Sequence, residues 1–173
     1  ITYRRIHDTP ETWGTGVNIQ AMVFGNMGDD CVTGVAFTRN PSTGENHFFG
    51  EWLPNAQGED VVAGIRTPLP LNNHYKFNKN SLETKFPKIY QQLFNVQKKL
   101  ENHYLDMQDI EFTIQNNKLW ILQTRAGKRN GRAAINIALD FIKNKSIKEK
   151  EGLRRISPDN INELLHPTLS TKE

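Results

Sequence analysis

The chain has 173 residues, of which 36% are hydrophobic, 24% charged and 9% aromatic, the make-up of a globular domain. Its net charge of +3 is small, and acids interrupt its most basic run, 143-KNKSIKEKEGLRR-155, which argues against a dedicated nucleic-acid binder. No run of 18 apolar residues offers a membrane span, and a single cysteine, Cys31, excludes an internal disulfide and suits a reducing, cytoplasmic setting. The opening ITYRRIHDTPETW has no initiator Met or signal-peptide core, and with the closing LLHPTLSTKE it reads as the interior of a longer chain.

Residues 15–24, TGVNIQAMVF, place Val17, Ile19, Ala21 and Val23 at alternate positions and predict a strand. A glycine-rich loop follows at 25–34, then a second strand over 35–40. A tight turn at 41–46 leads to a third strand over 47–53. These three would form an antiparallel meander. The stretch 54–71 is mixed, with Gly58 and Gly64 around the apolar Val61-Val62-Ala63, and Pro68 and Pro70 exclude regular structure just after it. Residues 72–80 read as a polar loop.

From 84 to 104 the apolar residues fall at helical spacing, among them Phe86, Ile89, Leu93, Leu100 and Tyr104. The period then drops to two. Ile110, Phe112 and Ile114 share one face, and Asp109, Glu111 and Thr113 the other. Asn116-Asn117 suits a hairpin turn because Asn tolerates positive φ. Strict alternation on the return arm puts Leu119, Ile121 and Gln123 on one face, with Lys118, Trp120, Leu122 and Thr124 on the other. A helix is expected over 130–143. A last one over about 158–165 would begin with Ser157 as N-cap and Pro158 as its first residue. Antiparallel strands with packed helices make the fold class α+β.

The hairpin carries the most suggestive chemistry. Asp109 and Glu111, two apart on a strand, point the same way. Gln123 offers a neutral carbonyl oxygen, and such a set suits a hard cation such as Mg²⁺. Arg125 can grip phosphate oxygens through two N–H groups at once. The same residues also read as ordinary charges on a solvent-facing strand, and residue types alone leave both readings open. The run 57-QGEDVVAG-64 joins flexible backbone to two carboxylates. The loop 25-GNMGDD-30 lacks the P-loop pattern. Cys31 has no evident histidine partner and reads as a buried structural thiol. The five histidines show no metal-ligand spacing.

Six motifs together resemble the pyruvate, phosphate dikinase family: GTGVNIQAMVFGNMGDD, TGVAFTRNPSTGE, NAQGEDVVAGIRTP, DMQDIEFTI, LWILQTRAGKR and LLHPT. The resemblance runs from about Trp13 to Thr168 and is weakest at 72–85. It implies the C-terminal subdomain of an ATP-grasp nucleotide-binding domain over 1–145, and a helical linker over 146–173 toward a phosphohistidine domain. In such an enzyme the domain binds Mg-ATP and, with phosphate, phosphorylates a histidine on that mobile domain. The phosphoryl group then reaches pyruvate on a barrel domain, giving phosphoenolpyruvate, AMP and diphosphate. The full-length enzyme is expected to be a homodimer, with no nucleic-acid or membrane partner.

Position by position, the resemblance makes Glu111 a metal ligand and Gln123 a metal- or phosphate-facing amide. Arg125 holds ATP phosphates and Asp109 acts in the same step. Glu59 falls in a loop facing the nucleotide cleft, and Arg39 is a further phosphate-binding candidate. Two departures stand out: Cys31-Val32 where the family usually has Ser-Gly, and Ala126 where it often has Asn. The upstream half, the T-S-H-A phosphocarrier motif and the barrel are not in this sequence, so the piece is not expected to run the whole reaction. Phosphoenolpyruvate synthase, glucan, water dikinase and a non-catalytic interaction domain of the same fold are the alternatives.

Overall fold

A computed structural model describes residues 2–64, 66–74, 76 and 78–165. The elements in chain order are α1 (Thr2–Ile6), β1 (Val32–Phe37), β2 (Phe49–Pro54), α2 (Gly58–Ala63), β3 (Leu69–Pro70), α3 (Leu82–Lys85), α4 (Pro87–Tyr104), β4 (Gln108–Gln115), β5 (Lys118–Ala126), α5 (Gly131–Lys143), α6 (Glu149–Arg154) and α7 (Pro158–Leu165). The five strands form one antiparallel sheet in the order β3-β2-β1-β4-β5. The α+β expectation is met. The motif LLHPT ends outside the described residues. Among those described, no helix is long and apolar enough to cross a membrane.

Cross-strand partners share a face, so the register sorts the side chains. Val32, Ala36, Trp52, Ile110, Phe112 and Ile114 point to one face and form the main core with Ile89 and Leu93 of α4. Gly34, opposite Phe112, has no room for a side chain: a Cβ there would stand 2.5 Å from the Phe112 ring. A smaller core, Met107, Ala133, Ile137 and Phe141 with Phe37, seats α5 at one end of the opposite face. Val32 is fully buried as the first residue of β1, where a β-branched side chain packs well. Cys31 beside it is a buried free thiol.

Three sequence expectations need correction. Residues 15–24 form no strand, and Val17 and Ile19 are 81% and 93% exposed. Their alternation is real, but a strand needs a neighbour for its N–H and C=O groups, and both sides of β1 are already taken by β2 and β4. The 58–63 stretch is a short helix rather than a loop. Asp60 accepts a 2.8 Å bond from the Gln57 amide at its start, and Gly64 ends it at φ 65°. The single helix expected over 84–104 is two, α3 and α4. Pro87 cannot continue a helix it enters but can open one, and Phe86 before it lies outside the helical region at φ −132°, ψ 59°.

The Asn116-Asn117 turn forms with φ of 51° and 58°, as a two-residue hairpin requires. At the far end, Ser157 caps α7 reciprocally with Asn160. The helix packs back on α5, where Glu163 accepts a bond from the Gly131 amide.

His47, just before β2, stacks on His74 with ring centroids 4.1 Å apart, and its Nδ1 lies 3.7 Å from Glu45. Burial, then repulsion from His74, lowers its pKa against the opposing pull of Glu45. A base that binds its proton less well when folded adds stability above its unfolded pKa of about 6.5 and loses it as pH falls. Urea midpoints should therefore drop between pH 7 and pH 5, and His47→Gln should flatten that drop. An unchanged slope in the variant would remove His47 as the cause.

Candidate functional site

The candidate site stands on the sheet face turned away from α4. Val35 on β1, Glu111 on β4 and Gln123 on β5 form one cross-strand row, with Phe37, Asp109 and Arg125 as the next. A β-bulge sets this arrangement. Phe112 faces Ile121 and Glu111 faces Gln123, so Leu122 is an extra residue in β5. Strict alternation had placed Gln123 with Leu119 and Ile121. The bulge instead turns Gln123 and Arg125 to the face of Asp109 and Glu111. It left little trace in the sequence, because 119-LWIL-122 is apolar throughout and hides the break in rhythm.

Asp109, 6% exposed, anchors Arg125: its Oδ2 accepts a 2.8 Å bond from Arg125 Nε. Arg125 Nη2 lies 3.6 Å from Glu111 Oε1, and the arginine side chain is 55% exposed. The bond to Asp109, then its charge, holds the guanidinium pKa above its ordinary value, with Glu111 adding a little. Arg125 is thus a fixed cation with its outer edge toward solvent.

Beside this pair opens a cleft of about 510 Å³ between the sheet and α2. Thr33, Val35, Glu59, Val61, Glu111, Leu122 and Arg125 line it. Its floor is stiffened by a 3.2 Å hydroxyl contact between buried Thr33 and Thr113. The structure therefore brings Glu59, Asp109, Glu111, Gln123 and Arg125 to one region. Sequence reasoning had not included the apolar wall of Val35, Val61 and Leu122. Val61 and Val35 had been read only as parts of an apolar run and a strand, and Leu122 depends on the bulge.

Arg39 is not brought there. It is 2% exposed, with Nε and Nη2 bonded to Glu101 at 3.0 and 2.8 Å, Nη1 to Asp140 at 2.5 Å, and its guanidinium over the Phe141 ring. Burial works to lower its pKa, but the bonds and charges of both carboxylates outweigh this and raise it. Asp106 is likewise occupied, by a two-point contact with Arg129.

Comparison with known proteins identifies a family. The profile of the family described as pyruvate phosphate dikinase, AMP/ATP-binding domain matches residues 1–89 and 71–146. Similar curated proteins include the pyruvate, phosphate dikinases of Rickettsia felis, 55% identical over 96% of this chain, and of Rhizobium meliloti, 53% identical over 98%. The chloroplastic enzyme of Flaveria pringlei is 51% identical over 95%. The chain spans 19%, 19% and 16% of the length of these three relatives. With a sheet face that gathers carboxylates, an amide and an arginine beside a cleft, and with the profile match reaching from residue 1 to residue 146, the chain belongs to the pyruvate phosphate dikinase AMP/ATP-binding domain family.

Proposed function

We propose that this chain forms one wall of the Mg-ATP site of a pyruvate, phosphate dikinase. The observation that carries this reading is the anchored Arg125, flanked by Asp109, Glu111 and Gln123 at the mouth of an apolar-walled cleft. The cleft is of a size for a nucleotide. Its apolar side, Val35, Val61 and Leu122, suits a flat base or sugar, and its charged end suits phosphates.

The donor set fits Mg²⁺. Glu111 and Gln123 offer a carboxylate and a carbonyl oxygen across one register step. Among the described residues, no group of three His, Cys, Asp or Glu could hold a metal ion. Phosphate oxygens and water would complete its shell, which is how Mg²⁺ is ordinarily held with nucleotides. The chemistry the ion supplies when bound is charge neutralisation on phosphate oxygens.

The protein's own part is positioning and electrostatics, as phosphoryl transfer requires. Asp109 orients Arg125 through Nε, which leaves the Nη groups to meet phosphate oxygens. Glu59, exposed at the start of α2, faces the nucleotide from across the cleft. In the longer enzyme the phosphoryl group passes to a histidine on a separate domain, and then to pyruvate on a barrel. Residues 146–173 would lead toward the first of these.

The test is a Mg-ATP titration of the 173-residue chain read by amide NMR. Shifts are expected at 58–64 and 109–125, and Arg125→Ala should abolish them. A folded sample whose shifts cluster elsewhere, or persist in the variant, would overturn the site assignment.

A further inference from the structure

Helix α2 forms the far wall of the cleft through Gly58, Glu59, Val61 and Ala63, and little packs against it. Gly58, Glu59, Ala63 and Gly64 are exposed, and Asp60 and Val61 are half-buried. A side chain placed at Gly58 or Gly64, the two ends of the helix, would meet nothing within 4 Å. The chain just before α2 is held far more firmly. Ala56 is fully buried and its amide donates to the Gly25 carbonyl at 2.8 Å, while the Asn55 amide donates to the Cys31 carbonyl at 2.9 Å. After α2 the chain rejoins the sheet at Leu69, opposite Trp52. A short helix without a buried side chain among those described does not hold its own position.

Arg66 supplies a tie. Its Nη2 donates to the Pro54 carbonyl at 2.8 Å and its Nη1 to the Asn55 carbonyl at 3.2 Å. The planar fork of a guanidinium suits two successive carbonyls, and this grip closes residues 54–66 into a clasp with α2 inside it. Arg66 is itself exposed and is not among the residues that line the cleft. Both of its Nη groups bond backbone, so it acts on the cleft through α2.

We infer that Arg66 is a positioning residue of the nucleotide cleft. By fastening the chain after α2 to the root of the loop, it sets how far Glu59 and Val61 stand from the sheet. The inference rests on the Mg-ATP reading of the cleft. Val61 belongs to the apolar side, which suits base and sugar, so the clasp bears on the nucleoside. The phosphate end at Arg125 stands on β5 and is independent of it.

The experiment compares the 173-residue chain with its Arg66→Met variant, which keeps most of the side chain's stem. Without ligand, amide exchange at 58–64 should be about tenfold faster in the variant. The urea midpoint should move little, because Arg66 is exposed. In amide NMR titrations the affinity for Mg-ATP should fall about fivefold. The affinity for Mg-tripolyphosphate, which lacks base and sugar, should stay the same. An arginine that touched phosphate would weaken both ligands alike. One that only stabilised the fold would lower the midpoint and leave both affinities unchanged. Either pattern overturns the inference, as does unchanged exchange at 58–64. A wild-type chain whose residues 109–125 respond to neither ligand removes the cleft reading, and this inference with it. A wild type that binds Mg-ATP, with a variant that binds it equally well, removes this inference alone.

Discussion

On the proposed reading, replacing Arg125 with alanine in a full-length pyruvate, phosphate dikinase carrying this domain should lower turnover by about 10²–10³-fold, the loss typical when one preorganised donor to developing charge is removed. The expectation rests on geometry. Asp109 is nearly buried and takes Nε, so the side chain is already aimed before any nucleotide arrives. A lysine at 125 should recover little, because a single ammonium cannot meet Asp109 and a phosphate with a planar fork. Asp109→Asn tests the positioning role separately. It keeps the shape but loosens the anchor, and should reduce kcat more than it raises KM for ATP if orientation matters most in the transition state. Near-normal turnover of Arg125→Ala would end its assignment as a phosphate-holding residue.

Arg39→Met should destabilise the chain by about 3–5 kcal/mol, the cost of stranding a buried charge once its partner is gone. Two carboxylates lose their cation at once, and Glu101 has almost no access to water. The measurement is the urea midpoint at constant slope. Arg39→Met combined with Glu101→Met should recover much of the loss, since a packed apolar pair replaces a buried ion pair at little net cost. The opposite pattern, unchanged stability with loss of Mg-ATP shifts, would return Arg39 to the phosphate-binding set that its FTRNP motif suggested.

What the sequence disclosed depended on whether each signal was local. The helical spacing of α4, the Asn-Asn turn, the period of β4 and the Ser157 cap all act within a few residues, and each is found close to where it was expected. Residues 15–24 failed for a non-local reason: alternation records a preference for pairing but not the presence of a pairing neighbour. Glu111, Gln123 and Arg125 were candidates by their chemistry, and their common face came only with the bulge. Arg39 lies apart from the other candidates, which its motif could not reveal, because an arginine looks the same in sequence whether it faces a cleft or two internal carboxylates. The carboxylates concerned, Glu101 and Asp140, lie 62 and 101 residues away.

The extra residue at Leu122 also divides β5 into two stretches under different rules. From the turn to Ile121, alternate side chains follow the core face, where Leu119 packs against the main core, and a polar replacement of Leu119 would lose that packing. Beyond Leu122 the parity is reset, so Gln123 and Arg125, which would have pointed inward, point to the face of Asp109 and Glu111. One residue thus frees the chemical end of the strand to vary independently of the end that holds the fold. The same economy makes it brittle to changes of length: a hairpin shortened by that one residue would keep every functional side chain in its sequence while presenting Gln123 and Arg125 to the wrong side.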